Sequence, residues 1–181
     1  AAGFGVPQRR PRLVVVGFRK DIARNLENGV PGTFELLEEC RKDQLRELGL
    51  PVAVSARMAI SDLAIGRRKL AICNDPALTK GSFFEAKYKG PMTQYQVLMH
   101  AGLGNAPMDS MRLANHTKIV SKRFKKILRE CPNGTLLSDK HRIRLGLLKH
   151  RIYPMSPNKP SPTLTTLPDD ILHYKEPRIL T

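Results

Sequence analysis

Residues 115–131 read NHTKIVSKRFKKILREC, and the way this run folds decides what the rest of the chain can be. Turned as an α-helix at about 100° per residue, it places Lys118, Lys122, Lys125 and Arg129 on one narrow stripe. Leu113, Val120, Phe124, Ile127, Leu128 and Cys131 gather on roughly the opposite side, with Ile119 off that line. A solvated helix usually mixes acids with bases and gains i,i+4 ion pairs. Only Glu130 is near this stripe, so the stacked cations repel one another unless something anionic covers them. The pattern predicts a helix packed by its apolar side and facing phosphates with the other. A plain solvated charged face is the alternative.

The whole chain extends that imbalance. It has 181 residues and a formal net charge of +15, with a pI near 10.2. That length fits one compact domain, or a small domain with long extensions. The charge points to a polyanionic partner. It is unevenly spread: residues 21–50 hold four bases and seven acids, whereas residues 111–151 hold twelve bases and two acids. The acidic part reads as a conventional helical module and the later part as the surface that meets the polyanion. Cys40, Cys73 and Cys131 form no CxxC pair. An odd, unpaired set suits a reducing compartment better than a disulfide framework, with two thiols buried and one idle. No run of 18 apolar residues is present, so no membrane span is expected. The chain opens at Ala1, and Arg9, Arg10, Arg12, Arg19 and Lys20 precede the first acid, Asp21. Such an opening fits either the remainder beside a cleaved mitochondrial transit peptide or a basic arm for nucleic acid.

The expected organisation is mainly α. Residues 1–20 form a basic extended arm, interrupted by Gly3, Gly5, Pro7 and Pro11, with RLVVVGF (12–18) as one short strand or an apolar lead-in. Residues 21–74 form a small helical module: a short helix stopping near Asn28-Gly29, a second opening at GTFELLEEC, a short KDQLRELGLP helix, and a longer buried helix over 52–71. Residues 75–152 form a helical region, with Asp75-Pro76 as a cap and first-turn pair and MTQYQVLMHAG as a helix. Pro107 opens the long basic helix, and Ser138 caps a helix through DKHRIRLGLLKHRI. Residues 153–181 read as an extended proline-rich tail, not a second core, with six prolines from Pro154 onward.

Signals for catalysis are weak. The five histidines, His100, His116, His141, His150 and His173, are scattered without metal-ligand spacing. VVVGFRKDIARNL has one glycine where a dinucleotide-binding turn needs several for close backbone approach. GLGNAP is a tight helix–helix turn, or a phosphate site at a helix N-terminus. Four Tyr, six Phe and no Trp offer no basic–aromatic stacking platform, so phosphate-directed contact with folded RNA fits better than base stacking. The residues expected to bind RNA are Arg9, Arg10, Arg12, Lys118, Lys122, Arg123, Lys125, Lys126, Arg129, Arg142 and Arg144.

Residues 33–68, TFELLEECRKDQLRELGLPVAVSARMAISDLAIGRR, resemble the last helices of a SAM-like module. The LRELGLPV turn is similar to the one in the IGR-motif protein of fungal mitochondrial small ribosomal subunits, although Ile65-Gly66-Arg67 follows the turn here rather than preceding it. In build the whole chain resembles the lineage-specific proteins of mitochondrial ribosomes. That resemblance implies a structural, non-enzymatic constituent of the mitochondrial ribosome in the matrix. Its partners would be rRNA and neighbouring ribosomal proteins, with no small-molecule substrate, cofactor, metal or membrane span. Two alternatives remain: a non-ribosomal organellar RNA-binding or RNA-processing factor, and an accessory subunit of a mitochondrial membrane complex whose basic loops face anionic lipid.

Overall fold

The computed structural model describes residues 2–73, 83–104, 111–147, 151–164 and 170–180. The Asp75-Pro76 start, Pro107 and His150 lie outside the described residues. Helix makes up 39% of the structure and strand 9%. The expectation of a mainly α chain is therefore corrected to a small mixed α/β fold. Six α-helices are present among the described residues: α1 (Lys20–Arg24), α2 (Gly29–Glu47), α3 (Ala56–Ile60), α4 (Gln94–His100), α5 (Lys118–Glu130) and α6 (Asp139–Arg144). Strands β1 (Leu70–Ile72) and β2 (Phe84–Ala86) pair antiparallel, with Leu70 opposite Ala86. Strands β3 (Tyr153–Pro154) and β4 (Ile171–Leu172) pair parallel, with Tyr153 opposite Ile171.

Local chemistry explains where the helices depart from expectation. The two helices expected between 32 and 51 are one, α2, because no breaker lies between Cys40 and Lys42. Pro31 sits in its first turn, where a missing N–H costs nothing. The long helix expected over 52–71 does not form. Ser55 caps α3 by accepting from the Met58 N–H, a 3-10 turn follows at Ser61–Leu63, and Gly66 at φ 55 then turns the chain into β1. Only glycine enters that left-handed conformation without steric cost. In α4, Thr93 and Gln96 form a reciprocal capping box. Ser138 caps α6 as expected, but Gly146 at φ 61 ends the helix early: Leu147 N–H reaches back to the Arg142 carbonyl. RLVVVGF joins no strand pair among the described residues, and Leu13 stays 90% exposed.

The segment expected as a coreless tail, 153–181, contributes core residues. Leu172 joins Ile127, Cys131, Leu137, Leu147 and Ile152 in one buried cluster, and Met155 and Ile171 join Ala56 in another. Backbone bonds tie the same segment to three distant regions. Ala56 and Arg57 N–H groups donate to the Lys159 and Pro157 carbonyls, 2.9 and 3.0 Å. Gly134 N–H donates to the Pro154 carbonyl, 2.7 Å, and Arg9 N–H to the Ser161 carbonyl, 2.7 Å. The arm is likewise docked at its start: Arg41 of α2 donates to the Gly3 carbonyl at 2.8 Å.

Two tests of this packing follow from its most buried groups. Ile127, 0% exposed, anchors the inner side of α5; Ile127→Ala should cost about 2–5 kcal/mol in urea unfolding. His173 is also 0% exposed. Its Nδ1 accepts from the Lys175 and Glu176 N–H groups, 3.1 and 3.0 Å, so the proton sits on Nε2, which has no partner among the described residues. Burial first, then the Arg178 and Lys175 charges against a smaller opposing effect of Glu176, push its pKa down to about 4. The unfolded chain takes up that proton near pH 6.5 and the folded chain only near 4. Stability is therefore full above about pH 6.5 and falls as pH drops towards 4, by on the order of 3 kcal/mol. Glu176 acts lower: burial alone would raise its pKa, but the Gly66 N–H and Arg178 hold it below the ordinary carboxylate range. His173→Asn, which keeps an acceptor for the two N–H groups, should flatten the profile in that window. A wild-type profile already flat there would mean that the ring is hydrated.

Candidate nucleic-acid interface

Helix α5 starts at Lys118, where the Thr117 hydroxyl oxygen accepts from the Val120 N–H at 3.3 Å. Its first turn holds no acid and does hold Lys118, a charge that opposes the positive end of the helix dipole. Propensity and dipole thus do little for this helix, and its buried side does more. Ile127 and Cys131 sit in the core, with Phe124 and Leu128 packed against it, and His116 meets the Phe124 ring edge-on at 5.1 Å. Burial pushes the Cys131 thiol pKa up, as suits a packing residue. Cys40 is exposed and Cys73 half-buried, so one thiol is buried where two were expected.

The outer side of α5 carries Lys118, Lys122, Lys125 and Lys126, while Arg123 lies towards the core side, beside the cavity lined by Val120, Phe124 and Leu147; all five are exposed and none is in an ion pair among the described residues. The lower end differs. Arg129 binds Glu130 at 2.7 Å, and Arg144 reaches the other Glu130 oxygen at 3.4 Å. The Arg129 hydrogen bond, with the Lys126, Arg129 and Arg144 charges, holds the Glu130 carboxyl below its ordinary range. Arg142 is half-buried and paired with Asp139. Four cations without local partners are thus reduced to three along the original stripe, since Arg129 is neutralised. Arg9, Arg10 and Arg12 are exposed, and the Arg9 backbone is bonded to the tail. Thr163 donates to the Arg9 carbonyl at 2.7 Å, and Arg12 caps the neighbouring Pro11 carbonyl at 3.2 Å.

A second basic surface escaped the sequence reading. Lys69 and Lys87 flank the Leu70–Ala86 pair of the β1–β2 hairpin, and Arg67 and Lys89 lie beside them, all four exposed. Lys87 and Lys89 lie just beyond the end of β2 and are exposed, with half-buried Tyr88 between them. The Tyr88 hydroxyl donates to buried Asp62 at 2.6 Å.

The model of the C-5 cytosine-specific DNA methylase family matches residues 1–179. No curated protein and no solved structure matches the chain. The family match overturns the ribosomal resemblance, the organellar RNA-factor alternative and the ribonucleoprotein vocabulary that went with them. The reason for the error is physical: +15 net charge and a cationic helix answer to phosphate, which RNA and DNA share. The non-enzymatic expectation is corrected too, because the family is one of methyltransferases. In place of rRNA, ribosomal proteins and no small molecule, the partners it indicates are DNA and a small-molecule methyl donor. It also indicates a Rossmann-like α/β fold, against the mainly α expectation. Among the described residues no glycine-rich cradle for the donor is formed: VVVGF carries Gly17 alone before α1. With all but its last two residues matched, the chain belongs to the C-5 cytosine-specific DNA methylase family.

Proposed function

We propose that this chain serves a cytosine-C5 DNA methyltransferase by holding duplex DNA through its phosphates, with the outer side of α5 as the principal grip. The observation that carries the reading is the set of exposed cations on the outer side of α5, Lys118, Lys122, Lys125 and Lys126, none of them ion-paired among the described residues. They stand on a helix whose inner side is core, so their geometry is set before DNA arrives. A cytosine inside a duplex is stacked and paired, and chemistry on a ring atom requires its removal from the stack. The flanking backbone must then be held while the base is out. Phosphate contacts do this without reading sequence. The exposed hairpin cations Arg67, Lys69, Lys87 and Lys89 supply a second line of contact, and Arg9, Arg10 and Arg12 a third.

Binding to duplex DNA should weaken steeply with salt. About four phosphates neutralised by the outer side of α5 give a slope of log K against log salt near −3.6, at about 0.9 per phosphate. Replacing Lys118, Lys122 and Lys125 with Gln keeps helix propensity nearly constant and should shrink the slope by about 2.7. The same change at Glu35, Glu38 and Glu39 should leave it unaltered. Fluorescence anisotropy over a salt series checks both, and a triple-Lys variant with the wild-type slope would remove α5 from the interface.

A further inference from the structure

Where α3, α4 and the β1–β2 hairpin meet, three side chains form a relay that the phosphate grip does not use. Asp62 is 4% exposed. Its Oδ1 is buried without a partner among the described residues, and its Oδ2 accepts from the Tyr88 hydroxyl at 2.6 Å. The same hydroxyl lies 2.9 Å from His100 Nε2, and the two rings stack with centroids 5.2 Å apart and planes 8° from parallel. A hydroxyl has one hydrogen, and an ionised carboxylate only accepts. The Tyr88 hydrogen therefore goes to Asp62, and His100 Nε2–H must donate to the Tyr88 oxygen. That assigns the neutral ring to one tautomer, with Nδ1 as an acceptor. No described residue binds that nitrogen.

The surroundings hold the relay still. Arg68 donates to the Asp62 carbonyl at 2.9 Å and reaches the Lys87 carbonyl at 3.5 Å, which joins the loop to the hairpin. Thr93 and Gln96 of the α4 cap both donate to the Met58 carbonyl, 2.7 and 3.0 Å, and Gln96 also bonds Ser61 at 3.0 Å. Burial, with the Asp62 hydrogen bond and charge, pushes the Tyr88 phenol pKa well up, so the hydroxyl keeps its proton. Exposed Arg67, Lys69, Lys87 and Lys89 stand on the same hairpin, and half-buried His100 closes α4 ahead of Gly102 and Gly104, which open onto free space.

We propose that His100 reads DNA sequence: held as the Nε2–H tautomer by Tyr88 and Asp62, it offers Nδ1 to an exocyclic amine of adenine or cytosine in the major groove. Those amines are the base-edge donors there, while guanine and thymine present acceptors at the matching positions. The inference rests on the DNA-holding reading above. It makes His100 a specificity-determining residue, and Tyr88 and Asp62 positioning residues.

The test is selection from a pool of duplexes with a randomised centre, using the 181-residue chain and its His100→Ala variant. The wild type should prefer adenine or cytosine at one position by about tenfold, and His100→Ala should lose that preference while keeping the salt slope and the affinity for random duplex. Tyr88→Phe leaves buried Asp62 without its hydrogen-bond donor and so risks the fold. The tautomer is therefore read directly on the wild type, by nitrogen-15 imidazole spectra that should show the proton on Nε2. A ring protonated on Nδ1 instead, or an unchanged preference in His100→Ala, overturns the inference. Wild-type binding with the expected salt slope but no preference at any position overturns it while leaving the phosphate grip standing. No duplex binding at all overturns both.

Discussion

The interaction on which most of the structure depends is a set of carbonyls on the segment 157–161, which turns at 157–158 and bends at 159. Pro157 and Lys159 accept the first two N–H groups of α3, and Ser161 accepts that of Arg9. A helix start leaves its first N–H groups without intrahelical partners. Here the tail supplies two and the Ser55 side chain a third. Proline lacks an N–H but keeps its carbonyl, so a proline-rich segment is suited to accepting from several neighbours and poor at pairing with itself. That one segment joins the arm, α3 and, through Pro154 and Gly134, the exit of α5.

Residues on either side of that segment fix what α5 can present. Ile152 and Leu172 complete the cluster around Ile127 and Cys131, and this burial, not local helix energetics, keeps a strongly basic helix wound. Lys118 in the first turn and stacked lysines on one side both oppose it. A core strong enough to absorb that repulsion yields a cationic surface that is rigid in advance. Phosphate then relieves the repulsion when it binds. The α3–α4 network shows the same economy with polar groups, since Gln96, 1% exposed, caps its own helix while holding Met58 and Ser61.

Much of the local structure around α5 was legible. Phe124, Ile127, Leu128 and Cys131 do turn inward, Ser138 does cap α6, and the Thr93 helix does form. The neutralisation of Arg129 was not, because Glu130 also receives Arg144 from α6, a residue brought near only by the turn between helices. The hairpin cations were missed because β1 lay inside a run whose apolar spacing fitted a helix. There Gly66 and the Asp62–Tyr88 bond overrode periodicity. The identity of the polyanion was out of reach for composition, since charge density reports phosphate and not the sugar or base attached to it.

What the sequence by itself determined is what depends on neighbours within a few residues: caps, glycine stops, the two-sided character of 118–131 and the excess of positive charge. What only the tertiary structure decided is what depends on partners far along the chain. Pairing β3 with β4 made core of a tail that composition describes as unfolded, because Met155, Ile171 and Leu172 bury only when brought together. The relay of Asp62, Tyr88 and His100 likewise spans separate elements. Each of its residues alone is ordinary, and their geometry assigns the histidine its proton.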